Sequence, residues 1–334
     1  MEDKLNFFLE KLRSLPECNN DDFYRFADYI EIKCLANIDG TYSQKEFLDD
    51  AIGRAEDLGE GDFEENQKTK KLPNAKKNDR WALIATDSFR VIESRIKLFG
   101  EFYPFYLTDN KKSLGLKDNL EKEKIYVFLL LCSDLKYTLK FKKELTSSFE
   151  KASLDVMINL FPKGEFKLFG SSNTEDGEDT EWKSDKLWDK LEWLSGFLNE
   201  ELRIKKEKIS VYDKGDRGID LIGKIPVGDN LTHFTIFFAQ CACSPNDWVI
   251  KQDSMKFDAW YEIINLSTDP NYMMFIPQSY RDSQDNWHDR TKIRRTNLFD
   301  RWRIIHNLED KEAYKAYTAY PIVEKILTTK ESTY

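Results

Sequence analysis

The residues best suited to chemistry gather in one stretch of the chain. Gly215-Asp216-Arg217-Gly218-Ile219-Asp220 leads into Leu221-Ile222, and the chain returns after a turn through Phe237-Phe238-Ala239-Gln240-Cys241-Ala242-Cys243. An acid at the head of one strand and an amide oxygen on the next set two hard oxygen ligands side by side at one end of a hairpin. Mg²⁺ and Mn²⁺ favour carboxylate, carbonyl and water oxygens, so Asp220 and Gln240 are the candidate metal ligands. A phosphodiester would add oxygens of its own, and the ion would lower the pKa of a bound water and offset charge at phosphorus. The plainer reading makes Asp220 a strand-end carboxylate that holds backbone amides beside Gly218.

Other chemistries find little support. The three histidines, His233, His288 and His306, accompany neither a Gly-x-Ser-x-Gly elbow nor a His-Glu-x-x-His pair. A phosphate-binding Gly-x-x-x-x-Gly-Lys loop is missing from the sequence, so energy from an NTP would have to come from a partner. Cys241 and Cys243 lack a second cysteine pair for zinc and read as packing thiols. Between Arg290 and Arg303 six basic residues, Arg294 and Arg295 among them, meet one acid, with Trp287 and Trp302 at the flanks. That composition suits phosphate contacts with base or sugar stacking, and equally an interaction helix pairing with acidic surface elsewhere.

The elements that must position these residues follow from periodicity. From residue 1 to about 165 the spacing is helical, as in Phe7, Phe8, Leu12, Leu15 and again in Trp81, Ile84, Ala85, Phe89, Ile92, Ile96. Ile125 to Leu139 predicts a buried helix. The polar stretches Leu58 to Asp79, with the basic run Lys68, Lys70, Lys71, Lys76, Lys77, and Leu107 to Glu123 predict loops. Five acids between Glu175 and Glu181 mark a connector. Beyond it Leu187, Leu191, Leu194, Leu198 and Leu202 predict a helix. Ile209 to Tyr212, Ile219 to Ile225 and Phe234 to Cys243 predict three strands, Lys251 to Leu266 a helix, and Tyr272 to Ile276 a further strand. The expected architecture is α+β or α/β: a mainly helical domain over 1–165, an acidic connector over 166–185, and a mixed-sheet domain over 186–334.

Composition bounds the function. The 334 residues carry 51 Lys and Arg against 60 Asp and Glu, a net charge of −9, which excludes a uniformly basic surface. An acidic body with one basic stripe predicts weak DNA binding, steep salt dependence and reliance on a partner or trigger. The longest apolar run, Ile125 to Cys132, falls short of the roughly 20 residues that span a bilayer. The amino terminus lacks a signal-peptide pattern, so cytosolic residence is expected. Five scattered cysteines predict reduced thiols.

The helix, three strands, helix, strand order, with Gly-Asp-Arg-Gly-Ile-Asp220 and Gln240-Cys-Ala-Cys, resembles the core of the PD-(D/E)xK restriction-endonuclease-like superfamily. Within it the pattern is similar to the Mrr-like branch and to bacterial restriction or phage-defence proteins, over about residues 185 to 280. The resemblance implies a metal-dependent DNA endonuclease in which Asp220 and Gln240 hold Mg²⁺ or Mn²⁺. It also implies a water-orienting lysine two positions after the second ligand, where this chain has Ala242. Lys251 on the next helix is the candidate replacement and Lys256 a weaker one. Asp216 or Glu201 are candidates to supply the charge that a glutamine lacks. Arg294 and Arg295 would contact phosphates, and a defence-system NTPase is an expected partner of what could be an oligomer. The rival implication is a nuclease-like subunit that has lost catalysis and serves as a scaffold in a defence complex.

Overall fold

The computed structural model describes residues 1–57, 74–108, 110–169, 186–210, 217–229, 231–255, 257–309 and 312–329. In chain order the first half holds α1 (Glu2–Lys11), α2 (Phe23–Ala36), β1 (Thr41–Ser43), α3 (Gln44–Asp57), α4 (Asn74–Phe99), β2 (Phe105–Leu107), β3 (Ser113–Leu116) and α5 (Lys124–Cys132). Then come α6 (Lys142–Leu160), β4 (Glu165–Leu168), α7 (Leu187–Leu198), β5 (Leu221–Ile225), β6 (Thr235–Cys241), α8 (Trp248–Lys251), α9 (Phe257–Tyr261), β7 (Asn271–Phe275), β8 (Asn297–Phe299), α10 (Arg301–Asn307) and α11 (Tyr320–Thr328). The fold is α+β, with two sheets among the described residues.

Two units interleave along the chain. The first comprises 1–142, 278–288 and 320–334, and the second comprises 143–277 and 289–319. The division therefore falls at Lys142 rather than near 165, because α6 buries Leu145, Phe149, Ala152 and Val156 and its Asp155 accepts the Tyr317 hydroxyl, all within the second unit. The run of acids from Glu175 to Glu181 lies outside the described residues, as do the side chains from Lys68 to Lys77.

In the first unit the predicted helical faces are buried at Phe8 and Leu12 of the amino-terminal segment and at Ile84, Ala85, Phe89 and Ile92 of α4, while Phe7, Leu15, Trp81 and Ile96 are half-buried. A reciprocal cap starts α3, where Ser43 N–H donates to Glu46 Oε2 at 2.7 Å and Glu46 N–H to Ser43 Oγ at 3.1 Å. Within the helical layer Arg95 is buried against Asp28 (2.7 Å) and Glu31 (2.8 Å), and the Tyr103 and Tyr126 hydroxyls donate to Glu31. Helix α5 ends at Cys132, seven residues before the expected Leu139. Ser133 Oγ turns back to Leu130 O at 2.7 Å and Asp134 takes the Lys136 N–H at 3.2 Å, local bonds that compete with further helix. The expected loop from Leu107 to Glu123 contains β3, which lies between β1 and β2 in the smaller sheet. Four residues, Ser-Leu-Gly-Leu, are too few to register as a strand among the lysines and acids around them.

The second unit is built on the sheet β4-β5-β6-β7-β8. Strands β4, β5 and β6 are antiparallel, whereas β7 runs parallel to β6 and β8 parallel to β7. Strands β5, β6 and β7 fall on the predicted runs, and their inner residues Ile222, Phe238, Ala239 and Met274 are fully buried. The first of the three antiparallel strands is not 209–212. Ile209 and Ser210 are irregular, 211–212 lie outside the described residues, and β4 takes the place beside β5. Helix α7 follows the leucine spacing to Leu198 and stops at Asn199, whose left-handed φ of 53° closes the end, leaving Leu202 beyond the helix. The expected helix from Lys251 to Leu266 is instead α8, a 3-10 turn over Gln252–Met255, and α9. Side-chain bonds from Gln252 and Ser254 to nearby backbone break its regularity.

Candidate metal and phosphate site

The chain enters β5 through two left-handed residues, Arg217 (φ 52°) and Gly218 (φ 81°). A Cβ at position 218 would collide with Ser254, so glycine is demanded by both backbone and space. Asp220 follows immediately. Its N–H donates to Ala239 O at 2.9 Å and its carbonyl accepts from Phe169 N–H at 2.7 Å, which ties it to the strands on both sides. Its carboxylate Oδ2 accepts the Cys241 N–H at 2.6 Å. The strand-end role open to Asp220 from the sequence is thus present.

The paired register ends at Leu221 opposite Ala239, and the Asp220 N–H bonds Ala239 O, so Asp220 lies just beyond the regular ladder. Asp220 and Gln240 thus lie at the same end of the β5–β6 pair, Asp220 with its carboxylate on the Cys241 N–H and Gln240 with its amide at Ser254. Gln240 is 6% exposed, and its amide oxygen lies 2.9 Å from Ser254 Oγ. Ser254 is also 2.7 Å from the Lys251 carbonyl and 3.2 Å from the Gly218 carbonyl. Lys251 is half-buried at the end of α8 and is linked to Gln240 through its backbone and this serine. Ala242 is fully buried, with its N–H on Phe275 O at 2.9 Å, and supplies no cation. Lys256 and Asp216 lie outside the described residues. Glu201 is exposed and meets its neighbours through a carbonyl that accepts the Asn265 N–H at 2.7 Å.

The basic segment is largely committed to structure. Arg301 is fully buried and donates to Pro277 O at 2.8 Å, and Arg303 donates to Leu298 O at 2.8 Å. Arg294 is ion-paired with Asp253, which raises the guanidinium pKa through that hydrogen bond and the charge behind it. Arg290 and Arg295 are exposed. Trp302 is stacked on His306 at 4.7 Å, and Trp287 belongs to the first unit, under Arg281. The expected stripe of six cations thus narrows, and Arg294 can reach a phosphate only by leaving Asp253.

Three residues with a place here escaped the sequence reading. Ser254 joins Gln240 to the Lys251 turn. Gln252, 3% exposed, donates to Val249 O and Lys292 O and accepts from Arg294 N–H (3.0 Å) and Thr296 Oγ1 (2.7 Å), so it clamps the basic segment to the same turn. Glu150 on α6 is near enough for its charge to act on Cys241. The Cys241 thiol pKa is pushed well up by burial first and then by Asp220 and Glu150, against a hydrogen bond from Ser153. Ser254 and Gln252 were hidden inside an expected helix, and Glu150 lies on a separate helix far upstream in the sequence.

Among the described residues no group of three or more His, Cys, Asp or Glu side chains gathers as a metal cluster. The donor set is one carboxylate and one amide oxygen. Mg²⁺ commonly takes one or two carboxylates, keeps several waters and completes its shell with substrate phosphate, so the pair fits a weakly held hard cation that phosphate would anchor. No family model, curated protein or solved structure matches this chain. No described helix is long and apolar enough to cross a membrane.

Proposed function

We propose that this protein is a metal-dependent endonuclease that hydrolyses phosphodiester bonds of DNA, in restriction or anti-phage defence, with a PD-(D/E)xK-like second unit. The observation that carries the reading is Asp220 and Gln240 at the same end of adjacent chain segments, backed by the turn that bears Lys251. The element order adds support. A helix (α6), three antiparallel strands (β4, β5, β6), a helical turn and a parallel strand (β7) follow one another, with α7 inserted.

Asp220 and Gln240 would hold Mg²⁺ or Mn²⁺, which when bound makes a water more acidic and offsets charge at phosphorus. Lys251 orients the attacking water. The water oxygen bonds to phosphorus, the ester P–O bond breaks, and the water proton passes to the leaving oxygen. Arg295 and Arg294, the latter once released from Asp253, contact the flanking phosphates. A defence-system partner supplies the trigger for a site with so few cations of its own.

A second reading, a nuclease-like scaffold without catalysis, is favoured by Ala242 at the usual lysine position and by the Cys241 N–H on Asp220. A Mn²⁺ titration separates the two. A working site binds the ion, and Asp220→Ala abolishes that binding; a scaffold gives the same flat titration for both proteins.

A further inference from the structure

Ser254 has one hydroxyl hydrogen and three oxygen neighbours. Its Oγ lies 2.7 Å from Lys251 O, 2.9 Å from Gln240 Oε1 and 3.2 Å from Gly218 O. A hydroxyl offers one donor and two lone pairs, so with all three neighbours as acceptors two contacts bring lone pairs together. The shortest contact is the three-residue back-bond that serine makes in a helical turn, at the ordinary O–H···O length. With the proton on Lys251 O, the close approach to Gln240 Oε1 sets two acceptors against each other at a buried amide.

The mismatch disappears when the carboxamide is turned over. Its oxygen and nitrogen ends have nearly the same shape, so the hydrogen-bond pattern decides which end faces where. Nε2 then donates to Ser254 Oγ, and Oε1 takes the opposite position, 3.6 Å from where a Gly218 Cβ would stand. That side is the lead-in to Asp220.

We propose that Ser254 is a positioning residue that holds Gln240 nitrogen-first and leaves its carbonyl oxygen to a hard cation shared with Asp220. The orientation stands on hydrogen counting alone, while its consequence rests on the proposed metal site. Neutron diffraction from a perdeuterated crystal reads the orientation without metal. The expected map places the Ser254 deuteron on the line to Lys251 O and two deuterons on the Gln240 atom facing Ser254. A Ser254 deuteron directed at a bare Gln240 oxygen overturns the proposal.

Mn²⁺ titrations then read the consequence. Ser254→Ala weakens binding about tenfold, the ordinary effect of losing an outer partner of a ligand, and Ser254→Thr restores it. In a Gln240→Glu background, where no amide end has to be chosen, Ser254→Ala costs clearly less binding than in the wild-type background. Equal losses in both backgrounds reduce Ser254 to packing and overturn the positioning role. Equal Mn²⁺ binding by wild type and Asp220→Ala sinks the metal site, while the nuclear map still decides the amide.

Discussion

The Cys241 thiol reports on the candidate site through its proton. Burial and the nearby Asp220 and Glu150 charges hold it neutral well above the usual thiol range. A raised pKa in the folded state means that its stabilising contribution is complete below the ordinary thiol pKa and is lost as pH rises toward the folded value. Native protein should therefore leave Cys241 unlabelled by iodoacetamide at pH 8, with labelling only after unfolding; native labelling at the rate of a free thiol contradicts this burial. The arginines divide in the same residue-level way. Arg301→Ala removes a fully buried guanidinium bonded to Pro277 O and should cost about 2–4 kcal/mol in urea unfolding. Arg295→Ala should stay within about 0.5 kcal/mol of wild type and instead lower the slope of log affinity for DNA against log salt by about one.

At the scale of elements, the 3-10 turn Gln252–Met255 binds two features that the sequence shows only separately. Gln252 fastens the segment that carries Arg294, and Ser254 reaches Gln240. Gln252→Leu leaves Lys292 O and the Arg294 N–H without their partner and should destabilise the second unit by about 1–3 kcal/mol, measured as a lowered urea midpoint. An unchanged midpoint would show that the segment is held elsewhere. The same turn shows what was legible. Strands β5, β6 and β7 could be read because each is a run of apolar or aromatic residues between turn residues, and Asp220 with Gln240 because both stand on that hairpin. Strands β4 and β8 were not, since Glu-Phe-Lys-Leu and Asn-Leu-Phe are short and mixed, and pairing in the sheet rather than propensity makes them strands. Helix spacing ran on past Lys251 because periodicity does not register side chains that bond to their own backbone.

For the whole molecule, chain order and unit membership disagree. The first unit draws on Gln278–His288, where His288 meets Asp22 at 3.1 Å, and on α11, where Glu324 pairs with Lys124 at 2.8 Å. A fragment ending at residue 165 lacks both, so it should melt without a cooperative transition by circular dichroism, whereas a sharp transition would restore the simpler division. The net charge of −9 takes on a narrower meaning too, because Arg301 and Arg303 serve the fold and Arg294 is held by Asp253. Under the proposed function, engagement of DNA is expected to be weak and salt-sensitive and to need a partner. The measurement that bears most directly on the Asp220 and Gln240 centre is the rate of supercoiled plasmid cleavage in Mn²⁺, for wild type and Asp220→Ala, each alone and with proteins encoded beside it. Wild type should cut and Asp220→Ala should be slower by about 100-fold or more. Equal rates, or no cutting by either under any of these conditions, would contradict the account.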